Sequence, residues 1–483
     1  MVLSMGAVEL DARSFTERRL TLKRATSEEI GPQLNFARAL IVAEEAGRNG
    51  LIRATLSAHA NAAQDYGLLV VVLVQTDQDY KTVSAMCEET PRSRLINVTF
   101  AAKLVDIAET IARADNEIGP SAGTVTIEAG TAILTEEQTL LLRRAFWDCD
   151  RIRLESLSGG RASECVFRVH AWLKKSEVGP RPLPFFAKIA DCAAIGRERS
   201  NYAQLADHYI PFNLRPNLIR RRCVQSSKYA ALVGNFVEDA VPLRSSLRSG
   251  QGVGAIFSLF EGSLKGLRMQ PFVSQHAPLS GGLDLFLKDR ARVAELSPEI
   301  VQTAMDLELK KTPQVLQNWL VEKAQSVTLR WGPFHGDLHA GNVMVRQRDA
   351  ILIDFGNTGS GPLTADPAAL EVSLMFGFDE NVLTDDFEAW RTFVDSIYPK
   401  SPRSLSLRPP LPETNPSQWG WLLRALRELR HVLLCCECEE IEARLVLSAY
   451  LLRYGRLPLE ATAGAAKRHA YALVVAERII DTL

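Results

Sequence analysis

Net charge is nearly absent from this sequence: 56 lysines and arginines face 57 aspartates and glutamates over 483 residues, leaving −1. A dedicated nucleic-acid binder of the bulk electrostatic kind carries a strongly basic footprint, so that class is excluded and no nucleic acid is expected as a partner. Cysteine is scarce as well. Eight in 483 residues are too few for a disulfide scaffold, and a reducing cytosol is the expected setting. Long apolar runs are missing: the longest clean one in the first part of the chain, Leu68–Val74, falls far below the roughly 18 residues a membrane helix needs. The start, Met1–Arg19, has acidic residues soon after a short apolar run and no basic region before it, so it does not read as a signal peptide. These absences lead to the expectation of a cytoplasmic protein with no membrane partner.

What is present is ordinary globular material. Hydrophobic residues at 46% and charged residues at 23% exclude a disordered chain, and the length predicts roughly two to four domains of about 100–200 residues. Residues 1–30 are polar without a sustained period and read as a flexible leader. From Leu40–Ala43 onward, short apolar strands alternate with helical stretches: a helix over 50–64, a strand over Leu68–Val74, a helix over 79–89, a strand over Leu95–Phe100 and a helix over 103–114. Alternation at this spacing predicts a small α/β domain over 31–120 with a largely parallel sheet. Residues 121–145 read as a connector.

Glu44 and Glu45 after the first of these strands, Thr76 after a later one and Lys103 after the last invite comparison with a response-regulator receiver. A receiver needs two more strands, and a phosphoacceptor Asp between that first strand and the Thr. Only one helix lies between Ala43 and Leu68, which leaves that site no room. The expectation is a plain α/β interaction or sensor domain.

From about residue 146 the pattern changes. Strands are predicted at Ile152–Leu157, Cys165–Val169, Phe185–Ile189 and Ala230–Phe236, and the chain beyond 250 is mostly helical by period and length. The exception is a strand-loop-strand patch between 331 and 356. Arg408–Pro412 is a Pro-rich loop, and three helices are expected after it.

That patch carries the strongest chemical signal: Phe334-His-Gly-Asp-Leu-His-Ala-Gly-Asn342, followed by Ile353-Asp354-Phe355-Gly356. An Asp and an Asn five positions apart on a loop can face one small volume. Asp337 can orient and deprotonate a hydroxyl, while the Asn342 amide oxygen and the Asp354 carboxylate supply hard ligands for Mg²⁺, which fills its shell with phosphates and water. This is the grammar of phosphoryl transfer. The residues resemble the aminoglycoside phosphotransferase and choline kinase-like branch of the protein-kinase-like fold, whose catalytic loop reads HGDxHxxN. His335, Gly336, Asp337, His339 and Asn342 match it position by position. Asn357, Gly361-Pro362, Asp366 and Leu370-Glu371 resemble a run in related bacterial phosphotransferases, some of which occur as ternary complex associated modules of bacterial conflict systems.

Upstream elements fall in the order that the resemblance requires. Gly159, Gly160 and Ser163 lie on a turn between two strands, where a nucleotide-covering loop belongs. Lys188 stands within an apolar strand and needs an anionic partner. The resemblance implies contact of Lys188 with the nucleotide's α/β-phosphates, with Glu198 as its carboxylate partner, although Glu177 or Asp191 could take that place. Phe236 ends the strand leading to the hinge, whose backbone meets adenine in the family. The implied fold class is α+β: a two-lobed kinase-like domain over 146–483, with a β-rich N-lobe (146–240) and a helical C-lobe (241–483), preceded by the small α/β domain.

Other clusters read more plainly. His335 and His339 are expected to brace the loop rather than titrate. His431, Cys435, Cys436 and Cys438 on one helix read as buried helix rather than a zinc site. Glu437, Glu439, Glu440 and Glu442, like Arg424, Arg427 and Arg430, read as solvated stripes. The function expected is ATP- and Mg²⁺-dependent transfer of the γ-phosphate to an unidentified hydroxyl acceptor. The alternative is a nucleotide-binding switch or scaffold that signals to a protein partner through the N-terminal domain. A third reading, transfer of AMP, has nothing in the sequence that demands it.

Overall fold

The first sheet is built from apolar runs rather than from alternating residues. In the computed structural model, which describes residues 2–6, 10, 12–17, 22–26, 37, 39–44, 50–65, 69–88, 96–101, 107–111, 125–157, 164–174, 179, 181–226, 228–252, 254–270, 274–276, 283–324, 328–377, 387–399, 419–435, 440–456 and 463–483, the chain divides into two compact units. The first comprises Met1–Arg197 and Asn217–Glu238; the second comprises Glu198–Pro216 and Asp239–Leu483. Among the described residues no helix is long and apolar enough to cross a membrane.

The first unit opens with β1 (Val2–Gly6), α1 (Ala12–Glu17), β2 (Leu22–Arg24), β3 (Ala39–Ala43), α2 (Gly50–Asp65), β4 (Leu69–Val74), α3 (Asp77–Glu88) and β5 (Ile96–Phe100). The strands are all parallel, in the order β2-β1-β3-β4-β5. Leu40, Val42, Val70 and Val72 pack on one face, and Ile41, Leu69, Val71 and Leu73 on the other. Burial on both faces is why the strands read as continuous apolar runs.

This sheet corrects two expectations. Residues 1–30 are not simply a leader: Val2 and Leu3 are fully buried in β1, which lies between β2 and β3. β1 is interrupted by Ser4 and Gly6 and β2 is three residues with two charges, so neither reads as an apolar run. The argument against a receiver from missing strands also falls, because β1 and β2 supply them upstream of β3. The order is that of the doubly wound flavodoxin-like sheet. The residue directly after β3 is not an Asp but Glu44, whose Oε2 accepts the backbone N–H groups of Leu51 (2.9 Å) and Ile52 (3.1 Å) in the first turn of α2. A carboxylate there satisfies orphan amides and complements the helix dipole. Lys103 and Glu45 lie outside the described residues.

The rest of the first unit is β6 (Thr126–Glu128), α4 (Glu136–Ala145), β7 (Cys149–Ser156), β8 (Cys165–Leu173), β9 (Phe185–Asp191), the start of α5 (Cys192–Asn201), β10 (Val224–Gln225) and β11 (Tyr229–Asn235). Six strands form one sheet, ordered β10-β11-β9-β8-β7-β6, antiparallel apart from β6 against β7. The segment expected as a connector is therefore part of this layer. β6 extends the sheet, and α4 is fastened by a capping box between Thr135 and Gln138. Arg222 sits between the Phe146 and Phe185 rings and makes a bidentate pair with Asp148 at 2.7 and 2.8 Å.

In the second unit β12 (Val241–Pro242), β15 (Val343–Arg346) and β16 (Asp349–Leu352) form one small sheet; β13 (Ser274–His276), β14 (Thr328–Phe334) and β17 (Gly359–Pro362) form another. The remainder is helical: α6 (Leu243–Arg248), α7 (Leu283–Ala291), α8 (Pro298–Asp306), α9 (Pro313–Ala324), α10 (Ala365–Phe376), α11 (Phe387–Ile397), α12 (Gly420–Cys435), α13 (Glu440–Tyr454) and α14 (Ala463–Ile480). Every residue of α10 except Ser373 is buried, and it packs against α12 and α13. A helix buried all round needs apolar residues all round. The class is α+β, with the β-rich and helical portions expected of a kinase-like chain.

One member of each run read as solvated is buried instead, while Arg424 and Glu440 are exposed as expected. Arg430 is buried against Glu371 (3.0 Å) and the Tyr398 ring, and buried Glu442 accepts from Thr364 Oγ1 (2.7 Å). Cys436, Glu437, Cys438, Glu439 and Arg408–Pro412 lie outside the described residues.

Glu44→Ala removes the acceptor for two amides at the start of α2. It is expected to lower the stability of the first unit by about 1–2 kcal/mol, with Glu44→Gln losing less, measured by urea denaturation.

Candidate active site

The catalytic loop is set by a carboxylate that the sequence reading placed in a motif but gave no task. Asp366, in the first turn of α10, accepts the backbone N–H of His335 at 2.7 Å and of Gly336 at 3.0 Å. It is buried, which pushes its carboxyl up from the usual range, while His335 and the two amides pull the other way. Gly336 has φ +82°, and a Cβ there would run into the Asn357 carbonyl oxygen. Only glycine meets both demands.

Both histidines brace the loop. His335 is fully buried, and its Nε2 lies 3.1 Å from the Ile353 carbonyl oxygen. A carbonyl can only accept, so that nitrogen carries the proton. His339 Nδ1 accepts from Gly341 N–H at 3.1 Å and caps the short turn Ala340–Asn342. That turn feeds β15, and the β15–β16 hairpin returns the chain to Asp354. The Ile353 N–H donates to the Asn342 carbonyl at 3.1 Å. One hairpin thus brings Asn342 and the Asp354 strand end side by side.

The side chains are oriented accordingly. Asn342 Nδ2 donates to the Asp337 carbonyl at 2.9 Å, which turns its amide oxygen away from that contact. Asp354 takes the left-handed conformation at φ +61°, rare for a residue with a Cβ, and its Oδ1 accepts from Gly356 N–H at 3.2 Å. An amide oxygen and a carboxylate form a hard, incomplete donor set. It suits Mg²⁺, which completes its shell with phosphate and water. Among the described residues no group of three or more His, Cys, Asp or Glu forms a self-sufficient cage.

Asp337 is partly buried and both of its oxygens are engaged: Oδ1 by Arg453 at 2.7 Å and Oδ2 by Asn357 Nδ2 at 3.2 Å. Sequence reasoning missed Arg453, which lies 116 residues downstream. It also missed Asn201, whose amide donates to the Phe355 and Gly356 carbonyls at 3.0 and 3.3 Å. The Tyr202 ring meets Phe355 edge-on, so the end of α5 is fastened to the Asp354 turn. Glu198 is buried on the same helix, near Gly356.

In the first unit, Lys188 sits on β9 opposite Val166 and Leu232, buried, with Nζ 3.2 Å from Glu164 Oε2. Glu164 was not weighed from sequence. Asp191, one of the alternatives, accepts the Ala194 N–H at the start of α5 instead (2.8 Å). The Phe236 N–H donates to the Pro184 carbonyl at 2.9 Å, so only its carbonyl could meet an adenine. Gly159, Gly160, Ser163 and Glu177 lie outside the described residues.

The loop, the hairpin and α10 all fall within one family match. Residues 303–480 match the family model described as Ternary complex associated domain 9. The matched segment contains Asp337, Asn342, Asp354, Asp366 and Arg453, in line with the resemblance to ternary complex associated modules. No curated protein matches the chain. Among solved structures, the chain is similar to the aminoglycoside phosphotransferase APH(3'')-Id from Streptomyces rimosus ATCC10970, at 16% identity over 57% of this chain and 92% of that one, with a TM-score of 0.31. A thermostable mutant of aminoglycoside phosphotransferase APH(4)-Ia, in a ternary complex with ADP and hygromycin B, is 14% identical over 68% and 93%, with a TM-score of 0.39. The amicoumacin kinase hAmiN, in complex with AMP-PNP, Ca²⁺ and Ami, is 14% identical over 68% and 88%, with a TM-score of 0.36. At these scores the chemistry has to be read from this chain's own side chains.

Asp366→Ala strands two buried amides, each worth about 1–3 kcal/mol. The expected result is a loss of about 2–5 kcal/mol from the second unit, read as a lowered denaturation midpoint.

Proposed function

We propose that this chain is an ATP- and Mg²⁺-dependent phosphotransferase acting on a hydroxyl. The observation that carries the reading is the joint placement of Asp337, Asn342 and Asp354 by one loop and one hairpin, locked to α10 through Asp366. Asp337 accepts the proton of the attacking hydroxyl. The acceptor oxygen bonds to the γ-phosphorus, the bond from that phosphorus to the β–γ bridging oxygen breaks, and the electron pair leaves with ADP. Mg²⁺, when bound, neutralises phosphate charge; Asn342 and Asp354 are the residues that would hold it. The work of the protein is positioning and electrostatics.

Lys188 is the proposed cation for the α/β-phosphates. Its burial on β9 and its ion pair with Glu164 support this, since a buried ammonium calls for anionic partners. Gly159, Gly160 and Ser163 are the proposed phosphate-covering turn, the Phe236 backbone is the proposed adenine contact, and Glu198 is proposed as a further member of the nucleotide-binding set. The acceptor is a hydroxyl compound of otherwise open identity, and the doubly wound N-terminal sheet is proposed as the docking part for a protein partner.

ADP release by the full chain, with Mg²⁺ and ATP and a panel of hydroxyl acceptors, tests the reading. Asp337→Asn is expected to lower it by about 10²–10⁴-fold with nucleotide affinity nearly unchanged. Asp354→Asn is expected to weaken nucleotide binding with Mg²⁺ present and to leave Mg²⁺-free binding unchanged. Wild-type turnover in Asp337→Asn would overturn the assignment. Nucleotide binding without Asp337-dependent ADP release would favour the switch.

A further inference from the structure

Arg453 ends α13 with its guanidinium 2.7 Å from Asp337 Oδ1, so the carboxylate proposed to take a proton already holds a cation. The two side chains are only 16% and 20% exposed, which separates this contact from an ordinary surface pair. Other arginines crowd the same face. Arg290 donates to the Gly336 carbonyl at 3.1 Å, Arg456 pairs with Glu295 at 2.7 Å, and Arg292 pairs with Asp289 at 2.6 Å. The guanidinium of Arg456 is pulled below its usual range by burial, with Glu295 opposing the shift and the charges of Arg453 and Arg292 adding to it. The nearby carboxylates Asp289 and Glu295 are thus each tied to an arginine. Tyr450, whose ring lies under Arg453, is buried, and its hydroxyl has no hydrogen-bond partner among the described residues.

This face offers a cation little, because Asp289, Glu295 and Asp337 are each tied to an arginine already. An amine-bearing acceptor would meet Arg453 and Arg290 with its own positive charge and find Asp337 already paired. An oxyanion meets the opposite situation: a guanidinium binds phosphate or carboxylate through a two-pronged fork. Binding such a group at Arg453 frees Asp337 Oδ1 for the acceptor's hydroxyl. We infer that Arg453 is the specificity-determining residue of this site. It holds Asp337 until an acceptor with a phosphate or carboxylate near its hydroxyl takes the guanidinium over. The inference rests on the reading of Asp337 as base, and it sets the acceptor apart from aminoglycosides and choline-like amines by charge.

Two measurements on the full chain separate the inference from that reading. In the first, sn-glycerol 3-phosphate, glycerol and choline are titrated into the ADP- and Mg²⁺-loaded protein by calorimetry. Wild type is expected to bind the phosphate compound at least about tenfold tighter than the other two, and Arg453→Gln to lose that preference. Equal binding of all three by wild type, or an unchanged preference in the variant, overturns the inference whatever the turnover. In the second, acceptor-free ADP release is followed with Mg²⁺ and ATP. Arg453→Gln is expected to raise it severalfold, and the Asp337→Asn/Arg453→Gln double variant to return it below wild type. A fall in Arg453→Gln to the level of Asp337→Asn would assign Arg453 to the transferring phosphoryl group and overturn the latch. Preserved anion selectivity with no Asp337-dependent release in any variant would count against Asp337 as base, not against Arg453 as the selector. Thermal melts confirm that each variant is folded.

Discussion

Everything at the candidate site depends on one buried carboxylate. Asp366 receives the amides of His335 and Gly336 and thereby fixes the backbone one residue ahead of Asp337. Burying a carboxylate is costly, and burial does push its proton affinity upward. Two amide donors and the neighbouring His335 offset that cost, and they are the groups whose positions matter for the loop. The same atoms that make the carboxylate tolerable make the loop rigid. Gly336 closes the arrangement, because its left-handed turn lets the loop pass against the Asn357 carbonyl.

A carboxylate can fix a loop only if its own helix is fixed. α10 is held by polar groups that are themselves buried: Glu371 with Arg430 and Tyr398, and Thr364 with Glu442. Buried pairs of this kind add little net stability against apolar replacements. Their effect is on register. An apolar helix in an apolar surrounding could slide or rotate at small cost, whereas Glu371 must meet the Arg430 guanidinium. Burial also raises the Tyr398 phenol well above its usual range, with Glu371 reinforcing the shift, so the phenol stays a donor to that carboxylate. Asp366 inherits its placement from this anchoring.

The sequence disclosed those parts of the site that are contiguous. His335 to Asn342 and Ile353 to Phe355 flank one hairpin, so their spacing already implied a shared volume. Parts assembled from distant segments stayed hidden. Arg453 is 116 residues from Asp337, and on α13 it reads as one more helical arginine. Asn201 belongs to no motif in the sequence, although its amide fastens the Asp354 turn. Glu164 was overlooked beside Lys188 because β8 starts at the next residue and its register was unknown. The N-terminal sheet shows a different limit. β3 and β4 are unbroken apolar runs and were legible, while β1 is interrupted by Ser4 and Gly6 and β2 is three residues with two charges, so only their pairing with neighbours defines them. Leu40 therefore lies in the third strand of the sheet rather than the first, and the two further strands a receiver needs are β1 and β2.

The near-zero net charge hides a local arrangement in which each charge has an assigned neighbour. Beside Asp337, Asp289 neutralises Arg292 and Glu295 neutralises Arg456, which leaves Arg453 to pair with the carboxylate proposed to do chemistry. An ion pair at a base is normally a handicap, because it stabilises the ionised form and weakens its pull on a proton. It becomes useful when the pairing can be exchanged. A carboxylate screened by Arg453 is a poor base toward stray water, and the group that displaces it must itself be anionic. Charge balance then acts as a gate. The same contact that lowers reactivity in the resting chain selects which acceptor restores it, and it does so without moving the loop that Asp366 holds.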